Sequence, residues 1–290
     1  MNIKELFRDF FNTHKYLDFE QAIEYFSIFG GIEEPLEFDY FADLFESIKN
    51  LVENDFLKLE SCITPQYILE PPYREILIAS ARGDGRLYAI LKKARIAETL
   101  GEKIIQELES LGIIYQEHSR EYTHDVKRGY RIQSKVRFSK PFYRFWFGFV
   151  EPYRASIIAK ETNRFMDYFE KGYERLRSLV FEQLSNEILK EHFSKIDPII
   201  SLGSYWDKDN EFDIISITKS GKVIFGECKY KNRKVCKNEL SKLVSKSQTL
   251  HMKPDLFVLF SKQGFSNELA NNPPKDVMLF DLEDMRQKII

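Results

Sequence analysis

The chain has 290 residues, of which 43% are apolar and 30% are charged, and its formal net charge is −2. It is longer than a typical single domain, so we expect two or three domains. The absence of an apolar run of roughly 18–20 residues argues against a membrane span, and the charged N-terminus and three cysteines without metal-finger spacing predict a cytoplasmic protein with reduced thiols.

Charge is distributed unevenly along the chain. Residues 1–70 contain five basic and fifteen acidic residues, whereas residues 71–150 contain fifteen basic and nine acidic ones. Such asymmetry indicates separate domains with different partners. We predict three domains, over residues 1–70, 71–164 and 165–290.

Residues 1–70 are predicted to form an acidic helical domain. In "FDYFADLFESIKNLV", residues 38–52, apolar side chains recur at steps of three and four, which predicts one amphipathic helix. These side chains belong to Phe38, Phe41, Phe45, Ile48 and Val52. The acidic remainder is interpreted either as a solubilising surface or as a docking face for a protein partner.

The second predicted domain begins at Pro71 and Pro72, which mark a boundary. Three helical segments are followed by "GIIYQEHS" and "RGYRIQ", residues 112–119 and 128–133, which read as two short strands around a polar loop. Three helices and a β-hairpin in this order describe a winged helix-turn-helix. Its third helix is predominantly acidic, which argues against insertion into a DNA major groove.

The predicted wing is basic, with eight basic and two acidic residues between Arg120 and Arg144. We consider two roles for this domain, namely contact with a nucleic-acid backbone through the wing and packing without nucleic acid. The candidate contacts in the wing are Lys127, Arg128 and Arg131.

The connecting segment "FSKPFYRFWFGFVEPYR", residues 138–154, is unusually aromatic. Large aromatic side chains bury much area each, so this density favours a domain interface. The alternative is stacking on single-stranded bases, since basic residues lie beside the aromatic ones.

The third predicted domain alternates helices and strands. A long amphipathic helix covers residues 165–193 and is followed by strands within 197–230, a helix at 238–250, a buried strand at 255–261 and a final strand and helix at 277–290. This order predicts a mixed sheet flanked by helices.

A hairpin in this domain brings two carboxylates together. A three-residue loop at 219–221 has Gly221 where a left-handed residue is needed, and the resulting register places Asp213 opposite Glu227. Opposed side chains on one face lie about 5 Å apart at Cβ, so the two charges repel unless a proton or a cation separates them. A divalent hard cation such as Mg²⁺ or Mn²⁺ is the expected occupant. A two-residue loop would instead place Cys228 opposite Asp213.

Lys229 follows Glu227 on the same face of the strand, because side chains alternate along a strand. An ammonium beside a metal can orient an attacking water or stabilise charge on a phosphate, which is the chemistry of phosphodiester hydrolysis. Cys228 alternates to the opposite face, where we expect it to pack in the core.

These residues resemble the pattern of the PD-(D/E)XK nuclease superfamily, although Phe212 stands where the family often has proline. The resemblance implies a restriction-endonuclease-like fold and a metal-dependent endonuclease acting on DNA. It implies that Asp213, Glu227 and Glu182 bind Mg²⁺ or Mn²⁺ and that Lys229 is catalytic. The cations expected to bind phosphates are Lys231, Arg233, Lys234, Lys237, Lys242 and Lys246. The alternative is a nuclease-like fold used only for binding, in which these charges neutralise one another and Glu182 is an ordinary helix residue.

A more specific resemblance extends over residues 71–285. The segments "PPYREIL", "ELESLGII", "RFSKPFYRFWFGFVEP", "GSYWDKDNEFDII" and "GECKY" together resemble the C-terminal part of the archaeal-type DEXX-box ATPases, in which a winged helix precedes a nuclease-like domain of unknown function. The chain lacks the G-x-x-x-x-G-K-[ST] phosphate-binding motif. Any ATPase step would therefore need a separate partner, for which the acidic domain is the candidate docking face.

The predicted fold class is thus α/β in the C-terminal domain and α+β for the whole chain. The first functional hypothesis is a metal-dependent DNA nuclease. The second is a non-catalytic DNA-binding or adaptor protein with a degenerate nuclease-like domain.

Overall fold

The computed structural model describes residues 2–34, 36–120, 132–249 and 253–290. The described residues form two compact units. The helical unit comprises Asp9–Glu117 and Gln133–Arg177, and the sheet unit comprises those in Met1–Arg8, His118–Ile132 and Ser178–Ile290. This division is made by spatial contact, and the three domains predicted along the sequence stay a prediction.

The helical unit is built from short helices and one two-stranded sheet. In chain order its elements are α1 (Ile3–Thr13, whose first turns belong to the sheet unit), α2 (Phe19–Phe29), α3 (Leu44–Asn54), α4 (Phe56–Ser61), α5 (Tyr73–Ala81), α6 (Leu87–Ala94), α7 (Glu98–Ser110), β1 (Ile114–Glu117), β2 (Lys135–Phe138), α8 (Pro141–Phe145) and α9 (Arg154–Ile158).

The helix predicted over residues 38–52 begins later than expected. The side chain of Asp43 accepts hydrogen bonds from the backbone N–H groups of Phe45 and Glu46, which caps α3 at its N-terminus. Residues 38–42, which precede this cap, are not helical, and Phe41 is fully exposed. Ile48 and Val52 are buried as the apolar stripe predicts, so the prediction is wrong for its first turn and correct for the rest.

Three helices followed by two antiparallel strands occur in the predicted order. Ile114 pairs with Phe138 and Glu117 with Lys135. Of the second predicted strand, the described residues 132–133 are not in a strand, and β2 begins at Lys135. Residues 128–131 of that prediction lie outside the described residues.

The aromatic segment forms the core of the helical unit. Phe142, Phe145, Trp146 and Phe147 are almost fully buried, and a π-helical turn over Trp146–Val150 follows α8. The Phe145 ring contacts Phe29 from α2 as well as the Phe169 ring. Side chains buried in this way are not accessible for stacking on bases, and the segment packs within one unit.

The sheet unit contains a five-stranded mixed sheet between helices, as predicted. Its elements are the second half of α10 (Asn163–Phe193), β3 (Ile199–Trp206), β4 (Glu211–Thr218), β5 (Val223–Lys229), α11 (Lys237–Thr249), β6 (Leu256–Ser261), α12 (Asn267–Asn271), β7 (Val277–Phe280) and α13 (Leu282–Ile289). The strands lie in chain order, antiparallel from β3 to β5 and parallel from β5 to β7.

Two layers of helix cover the sheet. The α10 side chains Phe181 and His192 contact the rings of Tyr230 and Phe280 on one face, with centroids 5.2 and 5.3 Å apart. The opposite face packs against α11 and α12 in a core that includes Phe225, Leu243 and other apolar side chains. Both faces are therefore buried, which explains the continuous apolar runs of β5 and β6.

In the described ranges, no helix combines the length and the apolar character that crossing a membrane requires.

The hairpin between β4 and β5 depends on Gly221. This residue has φ +88°, and its amide donates to the Thr218 carbonyl at 3.0 Å. We expect Gly221→Ala to destabilise the sheet unit by about 1 kcal/mol, because a Cβ is strained at this backbone conformation. Thermal unfolding should show a lower midpoint for this variant, while Lys219→Ala in the same loop leaves it unchanged. Equal midpoints for the two variants would contradict the dependence of the hairpin on Gly221.

Candidate functional site

The register of β4 and β5 agrees with the three-residue loop. Ile217 pairs with Val223 and Ile214 with Gly226. The paired ladder ends there, one pair before Asp213 and Glu227, because β4 is irregular at this point. Between the pairs Gly203↔Ile215 and Tyr205↔Phe212, two residues of β4 lie opposite one residue of β3. Asp213 thus belongs to a β-bulge, which the sequence did not reveal.

The bulge changes the partners of Asp213. Phe212 and Ile215 both pack in the core on the α11 face, although they are three residues apart. Asp213 lies between them and accepts a hydrogen bond at its Oδ2 from the backbone N–H of Cys228, at 2.8 Å. The carboxylate therefore satisfies an amide of β5 where the regular ladder has ended.

The Asp213 carboxyl lies close to two other acidic groups. Burial raises its pKa well above the ordinary value, and the charges of Glu182 on α10 and Glu227 on β5 raise it further. The Cys228 amide and the Lys229 ammonium oppose this increase without cancelling it. The pKa of Asp213 is thus affected by both of the other acidic residues that the sequence singled out, Glu182 and Glu227.

Lys229 and Glu227 form an ion pair on one face of β5, as the alternation predicts. Burial by itself lowers the pKa of Lys229, but the charge of Glu227 and the hydrogen bond to it outweigh that effect and raise the pKa. Lys229 is therefore an ammonium at neutral pH, which suits it to stabilise negative charge.

Cys228 points away from that pair. Its side chain is only 8% exposed, and burial first, then the charges of Asp213 and Glu182, raise the pKa of its thiol. It is therefore unsuited to act as a thiolate nucleophile.

A second lysine reaches Glu227 from α11. The Lys246 Nζ lies 3.6 Å from Glu227 Oε2 and donates to the Glu211 carbonyl at 2.6 Å. The same ammonium lies 4.8 Å from the centre of the Phe212 ring. Sequence analysis predicted that Lys246 binds phosphate and did not reveal these three contacts.

A basic cleft of about 550 Å³ opens beside this group, at the carboxyl end of β5. Its lining includes the cations of Lys229, Lys231, Arg233, Lys234 and Lys242. Glu239 also lines it and pairs with Lys242 at 3.1 Å and Arg233 at 3.8 Å. Lys231 and Lys234 are exposed. Carboxyl ends of strands in open α/β sheets are the usual place for ligands.

Of the other predicted phosphate-binding residues, Lys237 is not part of this lining. Lys237 pairs with Glu268 at 2.7 Å. The candidates in the wing, Lys127, Arg128 and Arg131, lie outside the described residues.

The donor chemistry of Asp213, Glu182 and Glu227 fits a hard divalent cation, which takes carboxylate oxygens. A cation among them would also relieve the repulsion that raises the pKa of Asp213. Within the described parts of the chain, no three His, Cys, Asp or Glu side chains already stand at metal-binding distances from one another. The group therefore fits a metal by charge and ligand type, and binding would require side-chain rearrangement.

Comparison with known families places a match across this site. Residues 146–243 match the model of the DUF234 family, which is described as archaea bacterial proteins of unknown function. The match includes Glu182, Asp213, Glu227 and Lys229 and ends before Lys246. Neither the curated proteins nor the solved structures contain a match to the chain.

The raised pKa of Asp213 has a consequence for stability. Between the ordinary pKa of an unfolded aspartate and the raised folded value, the folded protein holds a proton that the unfolded chain has lost, so stability falls as pH rises through this window. Asp213→Asn removes the charge and retains an acceptor for the Cys228 amide. We expect this variant to raise the free energy of unfolding at pH 7 by about 1 kcal/mol, which is roughly 2–4 °C in the thermal midpoint.

The measurement is thermal unfolding from pH 5 to 8 with a chelator present. Asp209→Asn, at an exposed position in the preceding turn, is the matched control and should follow the wild-type curve. A lower midpoint for Asp213→Asn than for the wild type at pH 7 would contradict the electrostatic account.

Proposed function

We propose that the sheet unit is a metal-dependent nuclease that hydrolyses phosphodiester bonds in DNA, with the PD-(D/E)XK arrangement that the sequence resembles. The observation that carries this proposal is the buried carboxyl of Asp213, whose pKa is raised by the charges of both Glu182 and Glu227, beside a Glu227–Lys229 ion pair that adjoins the basic cleft. Strongly perturbed carboxyl groups beside a cleft are typical of catalytic sites.

Each residue of the group has a distinct role in this proposal. Asp213, Glu227 and Glu182 would hold Mg²⁺ or Mn²⁺, which supplies Lewis-acid polarisation of a phosphate and an activated water. Lys229 stabilises charge that develops on the phosphate, because its pKa is raised and it remains protonated.

The cleft supports a polyanionic substrate. Its exposed cations, Lys231 and Lys234, lie next to Lys229 in one continuous lining. Cations in such a groove bind phosphates without reading base sequence, so we expect affinity that depends strongly on salt and weakly on sequence.

The test of catalysis is conversion of supercoiled DNA to nicked or linear forms with Mg²⁺ or Mn²⁺. Asp213→Ala and Lys229→Ala should each reduce the rate by at least about 100-fold, because each removes a group that acts on the reacting phosphate. Asp209→Ala and Lys219→Ala, at exposed positions, are the matched acidic and basic controls and should retain wild-type rates. Absence of cleavage by the wild type on double-stranded, single-stranded and branched DNA with both metals would reject the enzyme.

A non-catalytic DNA-binding or adaptor function is the second candidate. It is favoured by one observation, namely that both oxygens of Glu227 already face an ammonium, from Lys229 and from Lys246. In this function the charges stabilise a binding fold. DNA binding should then survive Asp213→Ala and Lys229→Ala while no cleavage occurs in any form of the protein.

DNA binding itself can be tested through its salt dependence. We expect Lys231→Ala with Lys234→Ala to lower the slope of log K against log salt by about 1.8, since each phosphate contact contributes about 0.9. The matched control is Lys219→Ala with Lys222→Ala, at the other end of β5 and roughly 20 Å away by the rise of a strand. Fluorescence anisotropy with a labelled duplex measures the slope. The same slope for both double variants would contradict the proposal that DNA binds in the cleft.

The link to a separate ATPase belongs to the same proposal. It is supported by the sequence resemblance over residues 71–285 and by the acidic character of residues 1–70. In that case the helical unit would provide the docking face, and the winged helix-turn-helix remains the predicted identity of α5–β2.

A further inference from the structure

Glu227 is doubly engaged by cations from this chain. Its Oε1 pairs with the Lys229 ammonium and its Oε2 lies 3.6 Å from the Lys246 Nζ. The carboxylate is 16% exposed, so water screens these pairs incompletely. A divalent cation that binds Glu227 must therefore compete with two ammonium groups.

Lys246 is held in this position by more than Glu227. Its ammonium donates to the Glu211 carbonyl and lies over the Phe212 ring. Both partners belong to the start of β4, next to the bulge at Asp213. Its side chain is 29% exposed, whereas Lys242, one turn earlier on α11, is 70% exposed and pairs with Glu239. These contacts direct Lys246 at the carboxylate group and distinguish it from the cations that line the cleft.

Lys229 connects the two parts of the site. It pairs with Glu227 and also lines the basic cleft. A phosphate bound in the cleft attracts the Lys229 ammonium and so weakens its hold on Glu227. Binding of a phosphate and binding of a divalent cation are then coupled through one side chain, and such coupling acts equally in both directions.

We propose that Lys246 is a positioning residue that, together with Lys229, occupies Glu227 in the free protein and competes with the metal, and that DNA in the cleft tightens metal binding by drawing Lys229 away from Glu227. This inference rests on the proposed function, because it requires a metal at the three carboxylates. It assigns Lys246 a role other than phosphate binding. It also predicts an enzyme that binds its metal more tightly once its substrate is bound.

The experiment measures Mn²⁺ binding by electron paramagnetic resonance of the free ion, without DNA, for the intact chain. Lys246→Met removes the charge and keeps an unbranched apolar side chain over Phe212. It should tighten Mn²⁺ binding by about fivefold, the size expected for loss of one partly exposed ion pair. Lys246→Arg restores a cation and should return the affinity to that of the wild type. Lys219→Met, at an exposed position outside the cleft lining, is the matched control and should leave the affinity unchanged.

A second arm repeats the titration with a saturating short duplex, and Asp213→Asn gives the baseline for Mn²⁺ bound elsewhere on protein and DNA. DNA should tighten binding to the wild type by a factor of about 5 to 150, and Lys246→Met should keep a gain of similar size, because the coupling runs through Lys229. Far-ultraviolet circular dichroism confirms that each variant is folded.

The outcomes separate the two proposals. If the wild type binds no more Mn²⁺ than Asp213→Asn in either arm, the metal site and the proposed nuclease fail together. If the site exists but Lys246→Met binds Mn²⁺ as the wild type does, or more weakly, the competing role of Lys246 is wrong and the nuclease proposal stands.

Discussion

The hydrogen bond from the Cys228 amide to the Asp213 carboxylate is the constraint on which the site depends. It forms because β4 carries one residue more than β3 at this point, which ends the regular pairing with β5 at Ile214↔Gly226. The bulge lets Phe212 and Ile215 both enter the core under α11. It also places the intervening Asp213 where two charges raise its pKa. One belongs to Glu182 on α10, which covers one face of the sheet, and the other to Glu227 on β5.

Much of the fold follows from local pattern. Period-two and helical periodicity located the strands and helices of the sheet unit, and the glycine in the β4–β5 loop specified the register. The misplaced features were those that tertiary structure decides. Asp43 caps α3 and stops the apolar stripe from extending back to Phe38. The strand β2 is defined by its pairing with β1, so its start at Lys135 could not be read from residues 128–133 alone.

The contacts of the candidate site between residues close in sequence could be predicted, and those between residues far apart in sequence could not. Alternation along β5 was sufficient to place Glu227 and Lys229 on one face and Cys228 on the other. The contact between Lys246 and Glu227 joins residues 19 positions apart in a crossover connection, and it depends on the rotation of α11 over the sheet. Lys242 and Lys246 look equivalent in sequence, yet one pairs with Glu239 at the cleft and the other with Glu227.

The charges around Asp213 do not favour the stability of the fold. The charges of Glu182 and Glu227 both act on Asp213, whereas the two ammonium groups face Glu227, so repulsion at Asp213 is left to be relieved by a proton, as its raised pKa indicates. A fold that needed only an amide acceptor for Cys228 would be served better by asparagine, because burying an ionisable group beside like charges costs free energy. Departures from local consistency concentrate at functional sites. An excess of negative charge beside a basic cleft is what a site requires if it is to bind a divalent cation and a phosphate together.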